Sequence, residues 1–257
     1  MKKTFMLLMA MVMVVMMAAG CGGGEKKAAE APKVLRVGTE PTFAPFEFQK
    51  DGSKEFDGFD MDLIRAIGKQ LNMKVEILNM GFDALIPALN AGNIDVAAAG
   101  MSITPDRQKA VDMSDPYYVA GLVVVVNKDN TAVKGINELN NKGIAVQIGT
   151  TGAERAAKVP GAKVKNFNTN AEVFLELKNK GVEAVIIDKP VAEYFLATGG
   201  GKDYAKIVGD TMEAESYGLS LKKNSPLTKE INKALLDLKK NGEYDKIYAK
   251  WFGAVKK

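Results

Sequence analysis

Ser102, Thr104 and Arg107 follow closely on one another, just after an apolar run from Ile94 to Gly100. An arginine side chain offers a planar fork of N–H donors that can grip a carboxylate with two parallel hydrogen bonds. Hydroxyls beside it can donate or accept. The segment Ala99-Gly100-Met101-Ser102-Ile103-Thr104-Pro105-Asp106-Arg107 thus carries the residue types needed to hold a small anion at the end of a strand. Arginine is scarce elsewhere, at Arg36, Arg65 and Arg155 only, among 35 basic residues. Taken alone, the segment fits equally well a surface arginine capping a helix.

Other chemistries are excluded by what is missing. The chain has no histidine, which removes Ser-His and Cys-His nucleophilic machinery and the commonest metal ligand. No phosphate-cradling glycine loop is present. An enzyme would have to work with carboxylates and lysines, and no pair of them suggests it, so no catalytic residue, cofactor or metal is expected. The net charge of +4 and pI of about 8.9 include Lys2 and Lys3. Without those two, 33 basic residues face 31 acidic ones. No basic cluster with interleaved aromatics appears, and nucleic acid is not an expected partner.

Lys2 and Lys3, the apolar run Phe5 to Met17 and the small residues Ala18-Ala19-Gly20 form an export signal over residues 1–20. Its apolar run is too short to span a bilayer. Cys21, the one cysteine of the chain, follows directly. A lone cysteine in an exported chain needs an explanation. The arrangement resembles a bacterial lipobox, with Ala18 where leucine is more usual. That implies lipid attachment at Cys21 and a membrane anchor outside the cytoplasm. Residues 21–33 contain Gly22-Gly23-Gly24 and few apolar side chains able to build a core, and read as a flexible tether.

About 220 residues remain, enough for one large or two modest domains. Strand and helix patterns alternate. Leu35–Gly38, Val75–Leu78 and Ile94–Ala99 read as strands, Asp60–Leu71 as an amphipathic helix stopped by Asn72, and Phe82–Leu89 as a short helix. The same order restarts with strand Gly143–Gln147, helix Ala153–Lys158, strand Val164–Phe167, helix Asn170–Lys180 and strand Val182–Ile187. Such alternation predicts mostly parallel sheets faced by helices, here in two lobes of similar build. Tyr118–Val126 and Glu213–Leu221 are apolar stretches placed to join them. Ser225-Pro226 opens a further helix, and Tyr244 to Phe252 closes the chain with an aromatic-rich one packed into a core.

One series of motifs carries a family resemblance: Thr39-Glu40-Pro41-Thr42-Phe43-Ala44-Pro45-Phe46-Glu47; Gly58-Phe59-Asp60; Phe82 to Leu89; Ser102 to Arg107; Gly149-Thr150-Thr151; Asp188 before Pro190; and Asn241-Gly242 through Trp251-Phe252-Gly253. In this order, from about Val34 to Gly253, they resemble the family 3 bacterial extracellular solute-binding proteins, which capture polar amino acids for ABC importers. The resemblance implies an α/β, two-lobe periplasmic-binding-protein fold of type II. Residues 34–123 and 217–257 would form lobe I and residues 124–216 lobe II, with crossover strands near 122–127 and 213–219 as the hinge. It implies a monomer that binds an L-amino acid and meets a permease and ATPase complex.

By the same resemblance, Arg107 and the Thr151 N–H, after Thr150, take the ligand carboxylate. The Gly100 carbonyl, the Ser102 hydroxyl and Asp188 take its ammonium, with Ser102 also able to donate to the carboxylate and Met101 between Gly100 and Ser102 in the same segment. Phe43 and Phe82 flank the side chain. Glu40 and Gln147 stand at its far end. Asp60 fits either a ligand position or a helix N-cap, and as a sequence feature reads more simply as the cap. Glutamine binders of the family commonly carry lysine where Gln147 stands and histidine where Ile187 stands. An acidic Glu40 with no distal cation favours arginine, lysine or histidine, with glutamine the alternative. A cyclic-acid dehydratase or a sensor domain would share the fold with a different role.

Overall fold

A computed structural model of the chain describes residues 33–50, 52–198 and 200–253. The export signal, Cys21 and the tether up to residue 32 lie outside those residues, and the first strand begins at Lys33.

Two sheets organise the fold. The first has the spatial order Met73–Asn79, Lys33–Thr39, Val96–Ala97, Ser220–Lys222, Val111–Met113. Its first three strands run parallel, and Ser220–Lys222 is antiparallel to both neighbours. The helix Phe59–Gln70 turns Met61, Leu63, Ile64 and Ile67 inward, the spacing of one helical face. Gly68 sits where a Cβ would come within 2.3 Å of Val75, so the absent side chain lets helix and strand approach closely. The same helix packs on Leu227–Lys240 and Glu243–Phe252. The chain end therefore returns to the helix beside the first sheet, and its half-buried aromatics pack against the core: the Phe252 ring lies 5.3 Å from Phe59 and 4.9 Å from Tyr118.

Asp60 is not the cap of that helix. The N-cap is Gly58 and carries no side-chain cap bond. The first-turn amides of Phe59 and Asp60 donate instead to the Pro45 and Phe46 carbonyls. With those donors satisfied by a neighbouring loop, no capping carboxylate is required.

The second sheet has the order Lys163–Phe167, Gly143–Gln147, Ala184–Asp188, Tyr118–Asn127, Ala205–Val208. The first three strands are parallel; Tyr118–Asn127 is antiparallel to both its neighbours. Ala184–Asp188 is buried throughout, as expected of a strand covered on both faces. Helices Thr151–Ala157, Asn170–Lys178 and Lys189–Thr198 flank it. A reciprocal capping box between Thr169 and Glu172 fixes the start of the second of these.

Tyr118–Gly121 pairs antiparallel with Ala214–Tyr217 before Leu122–Val126 enters the second sheet opposite Asp188–Ala184. The stretch Glu213–Leu221, expected as one strand, is two, Ala214–Tyr217 and Ser220–Lys222. Between them the Gly218 amide donates to the Met101 carbonyl, which moves the chain from one pairing to the next.

Candidate functional site

Parallel strands place ligands at their carboxyl ends, and here the strand ends of both sheets face one cavity. A nearly closed cavity of about 20 Å³ lies between Glu40, Phe43, Phe82, Gly100, Ser102 and Arg107 on the first-sheet side and Gln147, Thr150, Thr151 and Asp188 on the second-sheet side. In this arrangement the two sides nearly meet, with room for little more than a water molecule. Of the residues singled out in the sequence, Met101 is the exception. Its side chain is buried in the apolar cluster with Ile94 and Val111. The Met101 side chain packs away from the cavity, while Gly100 and Ser102 on either side of it line the cavity.

Arg107 is held by the protein itself. The Thr104 hydroxyl accepts from the Arg107 amide and caps the helix Pro105–Ala110. One guanidinium nitrogen donates to the Ser102 carbonyl at 2.8 Å and the other to the Gly149 carbonyl at 3.0 Å. The guanidinium carbon lies 5.4 Å from the centroid of Phe82, within cation–π range. A guanidinium has five N–H groups, so three remain for an anion. Burial lowers the pKa of Arg107, opposed by the carboxylates of Glu154, Glu215 and Asp188.

Gly100 has φ +54° and donates its amide to Asp60 at 2.9 Å. A Cβ there would lie 2.6 Å from the Phe43 ring. Glycine is required on both counts: backbone hand and contact with the aromatic wall. Tyr117 donates to the same Asp60 oxygen, and the other oxygen of that fully buried carboxylate has no partner among the described residues.

Asp188 ends its strand and accepts from the Tyr217 hydroxyl at 2.6 Å. Burial pushes both Asp188 and Asp60 up to about 7, against the hydrogen bonds from the two tyrosines. Glu40 is raised as well, by burial, with bonds from Thr42 and Gln147 acting the other way. Gln147 is used in full by the protein. Its amide nitrogen donates to Glu40 at 2.8 Å and to the Asn168 carbonyl at 3.0 Å, and its oxygen accepts from Asn170 at 2.9 Å. Thr150 is the N-cap of the helix Thr151–Ala157, which leaves the Thr151 amide among the first-turn donors that such a helix cannot satisfy internally.

Several residues of the site were not singled out from the sequence. Glu47 lines the cavity, is 1% exposed, and has an oxygen without a partner among the described residues. Burial first, and then Asp60, Glu40 and Asp188, raise its pKa well above the usual carboxylate range. Tyr217 and Asn170 hold Asp188 and Gln147. Glu47 stands in the quoted Thr39–Glu47 motif, and Asn170 directly after the capping Thr169; those were the available signals.

Two sheets with a polar cleft between their strand ends define a two-lobe solute-binding fold. Over residues 35–254 the chain matches the family model described as bacterial extracellular solute-binding proteins, family 3, and it belongs to that family. It is similar to a probable histidine-binding protein of Neisseria gonorrhoeae, 34% identical over 229 residues, covering 88% of this chain and 85% of the other. Among solved structures it is similar to an ancestral arginine-binding protein bound to arginine, with a TM-score of 0.83 and 47% identity over 87% of this chain and 100% of the other. It is also similar to the arginine-, lysine-, histidine-binding protein of Geobacillus stearothermophilus, with a TM-score of 0.82 and 36% identity over 88% and 97%.

Proposed function

We propose that this protein captures a free basic amino acid, arginine, lysine or histidine, outside the cytoplasm and presents it to the permease and ATPase of an ABC importer. The observation that carries the reading is the charge set of the cavity: one guanidinium, Arg107, against three carboxylates, Glu40, Glu47 and Asp188. A basic amino acid has one carboxylate and two cationic groups. Arg107 and the Thr151 amide receive the carboxylate. Asp188, with the Gly100 carbonyl and Ser102 hydroxyl, receives the α-ammonium. The side chain passes between Phe43 and Phe82, and its cation meets Glu40 and Glu47. The names of the relatives, which bind histidine, arginine or lysine, point the same way.

The same reading divides residues 34–123 with 217–257 from 124–216. The hinge expected near 122–127 and 213–219 moves earlier on its first strand: Leu122–Val126 pairs within the second sheet, and the two crossovers pair with each other over Tyr118–Gly121 and Ala214–Tyr217. Closure about such a hinge is a known response of binding proteins to ligand. The protein acts by binding, without catalysis, as a monomer tethered by lipid at Cys21.

A thermal-shift screen of the standard amino acids against the chain starting near Lys26 tests the reading. Arginine, lysine and histidine should raise the melting temperature most. A screen led by glutamate or an aliphatic amino acid would overturn it.

A further inference from the structure

Glu215, on a crossover strand, touches both walls of the cleft in a way the binding scheme leaves unused. It lies in Ala214–Tyr217, opposite Ala120 in the ladder that joins the two sheets. One carboxylate oxygen accepts from the Ser102 hydroxyl at 2.6 Å and from the Thr151 hydroxyl at 2.7 Å. Ser102 belongs to the segment leaving the first sheet, and Thr151 is the first residue of a helix on the second. Ser102 and Thr151 face the amino-acid cavity. Glu215 does not; it lines a groove on their far side, with Thr104, Glu154 and Met212.

We infer that Glu215 is a clasp: a hinge-strand carboxylate that ties Ser102 to Thr151 when the lobes close, and sets the polarity of both hydroxyls toward the ligand. The inference rests on the reading that the lobes close on an amino acid. Each hydroxyl has one hydrogen and two lone pairs. With the hydrogen given to Glu215, Ser102 presents only lone pairs to the cavity. It then accepts from an ammonium and cannot donate to a carboxylate. The ligand carboxylate is left to Arg107 and the Thr151 amide. Because the two hydroxyls ride on different lobes, both bonds exist together only in the closed form. An interaction made in one state only shifts the equilibrium toward that state. Glu215 is a positioning residue: it reaches the ligand through Ser102 and Thr151.

The test uses the full chain and arginine as probe, with Glu215→Ala, Glu215→Gln, Thr151→Val and the Glu215→Ala/Thr151→Val double variant. Stopped-flow binding should show arginine dissociating at least about tenfold faster from Glu215→Ala, the scale of losing hydrogen bonds to a charged acceptor. Association should stay within about twofold, since most affinity changes of this kind fall on dissociation. Glu215→Gln, which keeps an acceptor oxygen, should recover part of the loss. The double variant should be little worse than Thr151→Val alone, a non-additivity that general destabilisation does not produce. Small-angle scattering of the ligand-free chain should show Glu215→Ala more open than the parent, a readout that holds whatever the ligand. Parent that fails to bind arginine, with scattering that still separates the two proteins, overturns the ligand reading and keeps the clasp. Unchanged dissociation and unchanged scattering in Glu215→Ala overturn the clasp.

Discussion

The Gln147 side-chain amide donates to the Glu40 carboxylate at 2.8 Å, joining residues 107 positions apart and the ends of strands from the two sheets. The bond orients a carboxylate at the far end of the cavity and occupies the Gln147 nitrogen. Gln147 thus steadies Glu40, which the proposed scheme sets against the ligand side chain.

Selectivity should follow from that arrangement. Glu40→Gln removes the acceptor for a cationic side chain while keeping its size. Arginine and lysine should lose about tenfold or more in affinity, and glutamine much less, so the gap between basic and amide ligands narrows. Calorimetric titration of the variant with arginine and glutamine checks this. An undiminished gap would move the distal pocket away from Glu40.

Arg107→Lys keeps the charge and loses the fork, together with the bonds to the Ser102 and Gly149 carbonyls. Removing a partner from a buried charge pair costs about 2–5 kcal/mol, so arginine affinity should fall well over tenfold. Asp188→Asn should be comparably damaging, because the ligand ammonium loses its countercharge. Calorimetry on the two variants, with melting temperatures as a folding control, is the measurement; unchanged binding in either would place the site elsewhere.

Gly100→Ala puts a Cβ 2.6 Å from the Phe43 ring in a left-handed backbone position. The backbone penalty alone is about 1–2 kcal/mol, and the ring must shift into the cavity. The melting temperature should drop by a few degrees and arginine affinity should fall with it. A variant with parental stability and affinity would contradict the packing described.

Ligand-free stability and ligand affinity should respond to pH in opposite directions. Folding raises Asp60 and Asp188 from 3.8 to about 7. Between those values the folded chain holds protons that the unfolded chain has released. The stability these groups contribute is therefore full below the ordinary carboxylate range and is lost as pH rises through about 7. Asp188 must be ionised to hold an ammonium, so arginine affinity should rise across the same window, with proton release on binding near neutrality. Melting curves across pH and calorimetry in buffers of different ionisation heat report both. A ligand-free melting temperature that climbs from acid to neutral would contradict the assignment.

The elements and the centre of the site were legible where the signal is local. Arg107 after a strand and Asp188 at a strand end are each marked by their neighbours in sequence. The residues that hold them were not. Glu215 meets Ser102 across 113 positions, and Tyr217 meets Asp188 across 29. Sheet order decides such contacts, and no periodicity encodes it. Asp60 misled for a related reason: an acid at a helix start is a local sign of capping, but the Pro45 and Phe46 carbonyls had already taken the first amides. That freed Asp60 to hold Gly100 and Tyr117 in the core. Met101 shared a segment with the site residues, but its side chain packs with Ile94 and Val111 instead.

The central claim is that one guanidinium and three carboxylates select an amino acid with a cationic side chain. Calorimetric titration of the tether-shortened chain with arginine, lysine, histidine, glutamine and glutamate, slightly alkaline of neutrality, tests it most directly. Arginine or lysine should bind tightest, glutamine more weakly, and glutamate least, repelled by Glu40 and Glu47. A titration in which glutamine or glutamate outranks both arginine and lysine would contradict the account.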